Sequence, residues 1–188
     1  MTQAVLVNGV PASGKTTIAR AVGERLALPV LSMDAVKEAL YDELGNAGGD
    51  REYGRALNRA SMQAMWSLIA DFPPASTVVV EAWFRLPPHD VVRRGLERAR
   101  ISRWVEVWCH APAQVLMDRY TTRARNPNHP GPGYAIELGQ LSQVARPMAI
   151  SPLLEVETTD KPAVDLDAIA RWVQEQLQPG GSRHAGER

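Results

Sequence analysis

The stretch "LVNGVPASGKTTIAR", Leu6 to Arg20, decides how the chain is read. Gly9, Gly14, Lys15 and Thr16 complete the pattern GxxxxGK[ST]. An apolar run, "AVLVN", precedes it and a helix-forming run, "TTIARAVGERLA", follows. That is the strand-loop-helix context in which this pattern cradles phosphate. The glycines let the backbone of Gly9, Ala12, Ser13 and Gly14 turn its N–H groups toward α- and β-phosphates. The helix start at Thr16 and Thr17 adds its positive dipole end to the same spot. Lys15 is expected to neutralise charge on the β- and γ-phosphates, and the Thr16 hydroxyl is placed to ligate Mg²⁺. ATP and Mg²⁺ are therefore the expected ligands.

Outward from that loop, apolar runs alternate with stretches of helical period, as in βαβ units around a parallel sheet. Five strands are expected: Ala4 to Asn8, Pro29 to Met33, Thr77 to Ala82, Trp104 to His110 and Leu153 to Glu157. Ile18, Ala19, Val22 and Leu26 define the sheet-facing side of the first helix. Leu57, Ala60, Met65, Leu68 and Ile69 predict another, after a flexible connection "ELGNAGGD". Asp165 reads as the N-cap of a last helix carrying Leu166, Ile169, Val173 and Leu177 inward. One domain over 1–178 is expected, with a disordered tail over 179–188.

Composition narrows the function. The 188 residues suffice for one core, and 45% apolar with 22% charged residues is ordinary for a globular protein. Lys plus Arg and Asp plus Glu both total 21, so there is no global basic excess and a nucleic-acid partner is disfavoured. The single cysteine, Cys109, forms no internal disulfide, and no apolar run approaches the about 20 residues that span a bilayer. The N-terminus has no basic region that would mark a signal peptide, so a cytoplasmic protein without a membrane partner is expected, as a monomer or homodimer.

The acceptor of the phosphate must be sought elsewhere. There is no NKxD segment of the kind GTPases use to read the base. Asp34, at the end of the second strand in "PVLSMDAVKEAL", is expected at the same rim as the phosphate loop. There it can accept a hydroxyl proton during phosphoryl transfer. As a residue before a helix it also suits an N-cap, and the two roles are compatible. Glu81 ends "VVVE" and can hold Mg²⁺ through water or contact the acceptor, so it competes with Asp34 as base. Trp83 and Arg85 follow directly and can line an acceptor pocket, although aromatics there also suit a core. Pro112, Val115, Leu116 and Tyr120 mark a further helix with Arg119 and Arg123 four apart. That like-charge pair disfavours the isolated helix by a few tenths of a kcal/mol, so an anion is expected to offset it. "NPNHPGPG" then reads as a mobile loop. Residues 119–135, including Arg125, are expected to close over ATP as a lid and exclude water. His129 reads as a loop residue.

These segments together resemble the small P-loop kinases, the zeta toxin-like and AAA-type ATP-binding group that includes chloramphenicol phosphotransferase, gluconate and shikimate kinases and polynucleotide 5'-kinases. The resemblance covers roughly residues 4 to 177 and is nearest to chloramphenicol phosphotransferase-like proteins, in "LVNGVPASGKTTIAR", "MDAVKEAL", "VVVEAWF" and "RYTTRARNPNHPG". It implies a three-layer αβα sandwich with a five-stranded parallel sheet in the order 2-3-1-4-5 and a small helical lid. By resemblance the base falls on Asp34, the lid arginines on Arg119, Arg123 and Arg125, and "ETTD", residues 157–160, lies near adenine. Glu81 followed by "AWFR" departs from the Asp-containing segment common in the group. The expected function is an ATP-dependent kinase acting on a hydroxyl of a small molecule such as an antibiotic, sugar or nucleoside. Two other readings stay open: a polynucleotide 5'-hydroxyl kinase, with Lys37 one helical turn after Asp34 as an end-phosphate contact, and a regulatory ATPase module.

Overall fold

In the computed structural model of the chain, residues 2–45, 51–123, 126, 127 and 129–178 are described. Most of the expected connection (46–50), Arg125 and the tail over 179–188 lie outside the described residues. The apolar runs form β1 (Thr2–Asn8), β2 (Val30–Ser32), β3 (Thr77–Glu81), β4 (Ile101–His110) and β5 (Leu153–Glu157). All pair in parallel, in the order β2-β3-β1-β4-β5. Register aligns Ser32 with Glu81 and Glu81 with Val7, so the carboxyl ends of three neighbouring strands meet at one rim. Ligand sites of open parallel sheets form there.

Alternate residues of each strand point to opposite faces, and both faces are covered. Ala4, Leu6, Val78 and Val80 pack with Met65, Trp66 and Ile69 of α3 (Arg51–Ala70) and Val92 and Leu96 of α4 (Asp90–Arg98). Val5, Val7, Val79 and Val107 pack with Ile18 and Val22 of α1 (Lys15–Leu26) and Ile169 and Val173 of α7 (Leu166–Leu177). A third cluster joins Val10 and Trp108 to Leu116 of α5 (Ala113–Thr122) and Leu138 of α6 (Tyr134–Val144). Asp165 caps α7 through Ala168 N at 2.8 Å.

The structure corrects several expectations. Strand β2 stops at Ser32, and α2 (Met33–Leu44) begins at Met33, so Asp34 lies inside its first turn. The cap is Ser32, whose hydroxyl accepts from Ala35 N at 3.5 Å. In α3, Ala60 and Leu68 face solvent. The inward stripe runs Leu57, Ser61, Met65 and Ile69, and Ser61 is tolerated at 0% exposure because its hydroxyl donates to the Leu57 carbonyl at 2.8 Å. Helix α5 ends at Thr122, and Arg123 is extended (φ −86°, ψ 126°), so Arg119 and Arg123 do not share a helix face. Hydroxyls of Thr121 and Thr122 donate back to the Asp118 carbonyl, the local competition that ends helices at such residues. Helices α4 and α6 were not anticipated.

Candidate active site

The phosphate loop is held in its shape by the strands around it. Gly9 has φ 155°, and a Cβ there would meet Ser13 Oγ at 2.4 Å and the Cys109 carbonyl at 2.5 Å, which excludes any other residue. Gly14 caps α1 at φ 85° with no side-chain hydrogen bond, and the first turn carries no acid. An anion at this helix start therefore meets no competing carboxylate from α1. Ser13 Oγ is buried and has no hydrogen-bond partner among the described residues.

Lys15, Thr16 and Glu81 come together beneath the loop. Lys15 Nζ lies 3.4 Å from Glu81 Oε1, and Thr16 Oγ1 donates to the same oxygen at 3.2 Å. Ser32 Oγ donates to Glu81 Oε2. Glu81 is only 1% exposed, a burial made possible by these three partners. Two adjacent hard oxygen donors at a phosphate loop fit a divalent cation such as Mg²⁺, with Thr16 and Glu81 as the residues that would hold it.

A second network braces the loop. Asn8 Oδ1 accepts from Gly9 N at 2.8 Å and from Phe84 N at 3.1 Å, while its amide donates to Glu106 Oε1 at 2.8 Å. Glu106, fully buried, also accepts from Met148 N and Ala149 N, both at 2.9 Å. Beyond β5, Thr158 Oγ1 donates to the Ser13 carbonyl at 2.8 Å. Arg119 spans the gap, donating to Thr158 Oγ1 at 3.2 Å, the Thr159 carbonyl at 3.2 Å and the Ala12 carbonyl at 3.5 Å. It thus ties helix α5 to the loop and to the "ETTD" segment. The like-charge pairing expected of Arg119 and Arg123 along one helix does not arise, because Arg123 lies past the helix end.

Two cavities open at the rim. One, of about 480 Å³, lies along the loop and takes in Thr16, Thr17, Arg20, Arg119 and Arg123. The other, of about 690 Å³, is walled by Lys37 and Tyr41 of α2, Tyr53 and Asn58 of α3, Trp83 and Arg85. Tyr120 of α5 and Tyr134 of α6 complete it. Pro11, Lys15, Asp34 and His129 belong to both. Glu81 lines neither, so of the two expected acids Asp34 is the one that faces both spaces. His129 Nε2 lies 2.9 Å from Glu38 Oε1, and Asn126 donates to Asp42 at 3.1 Å, which brings this loop against α2.

Charge inside the larger cavity is unevenly distributed. Burial lowers the Lys37 ammonium below its ordinary value, opposed by Asp34 and reinforced by Arg85. Burial raises the Tyr134 phenol, with Glu137 and Tyr120 adding to the rise and Arg85 opposing it. The Arg85 guanidinium sits 5.0 Å from the Trp83 ring centroid.

Sequence reasoning missed Asn8, Ser32, Glu106 and Thr158 as supports, and Tyr41, Tyr53, Asn58, Tyr120 and Tyr134 as cavity wall. For Ser32 a signal existed, a serine three residues before Ala35 at a helix start. The tyrosines gave none, because four separate helices carry them.

No curated protein matches the chain. Among solved structures it is similar to a candidate kinase from Chloroflexus aurantiacus j-10-fl, at 30% identity, with 94% of this chain and 99% of that one covered and a TM-score of 0.79. It is also similar to an APS kinase of Mycobacterium tuberculosis, solved with AMPPNP and APS (21% identity, 95% and 98% covered, TM-score 0.61). A gluconokinase from Sinorhizobium meliloti 1021 matches at 20% identity, with 90% and 87% covered and a TM-score of 0.58. The last two likenesses are of fold. Since a family model described as "AAA domain" matches residues 5–147, which carry the phosphate loop, Asp34, Glu81 and Arg119, the chain belongs to that family.

Proposed function

We propose that the protein is an ATP-dependent phosphotransferase that moves the γ-phosphoryl group of MgATP to a hydroxyl of a small molecule. The observation that carries this reading is the meeting of two cavities at Lys15 and Asp34: one side has the size and cationic lining for a nucleotide, the other for an acceptor. A regulatory module that only gates hydrolysis has no use for the second chamber. The names of the similar structures, kinases of small metabolites, agree with the reading.

The residues divide the work. Backbone N–H groups from Gly9 to Thr17, with Lys15, bind and orient the phosphates. Thr16 and Glu81 would hold Mg²⁺, which would supply fixed positive charge against the developing negative charge. Asp34 takes the proton of the acceptor hydroxyl as that oxygen bonds to the γ-phosphorus. The bond from phosphorus to the β,γ-bridging oxygen breaks, and its electron pair leaves with ADP. Arg119 and Arg123 offset charge on the transferring group. The lid, residues 119–135 of a single domain over 1–178, reaches α2 through Asn126 and His129 and excludes water. Lys37, Trp83 and Arg85 contact the acceptor.

Screening hydroxylated metabolites and antibiotics for acceptor-dependent ADP release tests the reading. With an acceptor found, Asp34→Asn is expected to keep ATP affinity and lose transfer by about 10²- to 10⁴-fold. Full activity in that variant overturns the assignment of the base.

A further inference from the structure

The larger cavity holds a cation whose placement nothing in phosphate donation explains. Arg85 follows the end of β3 with φ 67°, a left-handed conformation that costs a non-glycine residue free energy and persists where its surroundings impose it. Its guanidinium is laid over Trp83, and among the described residues it forms no ion pair. Lys37 lines the same chamber, and Arg85 disfavours its charge. Asp34, which faces both cavities, and Glu38, which lies against His129, favour the charged form of Lys37. Glu137, a further acid of the wall, acts on Tyr134. Two cations thus line one walled space with aromatic sides, and an oxyanion reaching both exchanges a repulsion for charge-assisted hydrogen bonds.

We propose that the acceptor is an anionic alcohol, whose carboxylate or phosphate is held between Arg85 and Lys37 while its hydroxyl reaches Asp34. This rests on the phosphotransferase reading and names its substrate class. Asp34 and Lys37 are three apart on α2, so their Cβ atoms are roughly 5–6 Å from one another. Hydroxyl and anion therefore belong to one small molecule. The chamber of about 690 Å³ accommodates a compact ring or short chain, and its tyrosines suit the apolar faces.

The test fills the donor site first. The full chain, saturated with Mg²⁺ and a non-hydrolysable ATP analogue, is titrated with inorganic phosphate, with malonate and with glycerol, and tryptophan fluorescence is followed. Phosphate or malonate is expected to give a saturable change that Trp83→Phe removes and glycerol does not produce. The anion that binds tighter identifies the oxyanion. Arg85→Gln and Lys37→Gln are each expected to weaken that binding at least tenfold, and Arg85→Lys to restore part of it. No saturable response to either anion, or one that Arg85→Gln leaves unchanged, overturns the proposal. Binding of the analogue itself, and its loss in Lys15→Ala, is read in the same cell. An analogue that fails to bind, or binds Lys15→Ala equally well, overturns the phosphotransferase reading and this inference with it. Acid acceptors turned over no faster than their amides, by ADP release, overturn the inference alone.

Discussion

The two sides of the rim are built differently. On the side proposed for the donor, the loop is fastened at many points: Lys15, Thr16 and Ser32 converge on Glu81, Asn8 holds Gly9, and Thr158 from beyond β5 and Arg119 from α5 clasp the loop. On the side proposed for the acceptor, side chains arrive from α2, α3, α5, α6 and the segment after β3, and rings and cations predominate. The donor phosphates are common to every nucleotide reaction, so their site gains from rigidity set in advance. An acceptor site built from scattered helices can vary one residue at a time without disturbing the loop.

Substitutions break or sharpen that contrast. Lys15→Ala strikes the fastened side at its centre and is expected to lower transfer by about 10³-fold, checked by ADP release and by binding of a fluorescent ATP analogue. Glu106→Leu leaves Asn8, Met148 N and Ala149 N without their acceptor. At about 1–3 kcal/mol for each buried group, it is expected to lower stability by at least about 3 kcal/mol, measured by urea unfolding. A midpoint unchanged from the parent would remove the brace from the account. On the open side the effects shrink. His129→Ala removes a partly exposed contact with Glu38 and is expected to change acceptor KM no more than about fivefold, in line with roughly 1 kcal/mol for such a pair. A far larger loss would move His129 from the lid into the chemistry.

The smallest effect is nil at neutral pH. Burial pushes the Cys109 thiol up to about 12, from an ordinary 9.0, under the loop at the Gly9 contact. Between those values the unfolded chain releases the proton and the folded chain keeps it, so the contribution of this thiol to stability declines as pH rises above about 9 and is constant below it. Thermal unfolding at pH 7 and pH 10 in the parent and Cys109→Ala measures the difference. Thiol reagents should reach Cys109 only in denaturant.

What could be read from the chain follows the same divide. The phosphate loop, the runs "TVVVE" and "LLEVE", and the cap at Asp165 are local patterns, and local patterns carry their own geometry. The sheet order came from resemblance and is the one observed. Features that depend on partners were misplaced. Leu68 has the right spacing for the core, but which side of α3 turns inward is set by how it sits against Val78 and Val80. Arg123 was put on a helix that Thr121 and Thr122 terminate. Tyr53 and Tyr134 lie 81 positions apart in the chain and meet one chamber only through topology.

Asn8 carries a consequence for redesign. Its side-chain oxygen grips Gly9 of the phosphate loop and Phe84 between Trp83 and Arg85. The backbone at Phe84 is thus surveyed from the same bench mark as the nucleotide. Substituting the flanking positions 83 and 85 should swap the tool without moving the holder, so a library confined to those two residues samples new acceptors at an unaltered distance from ATP.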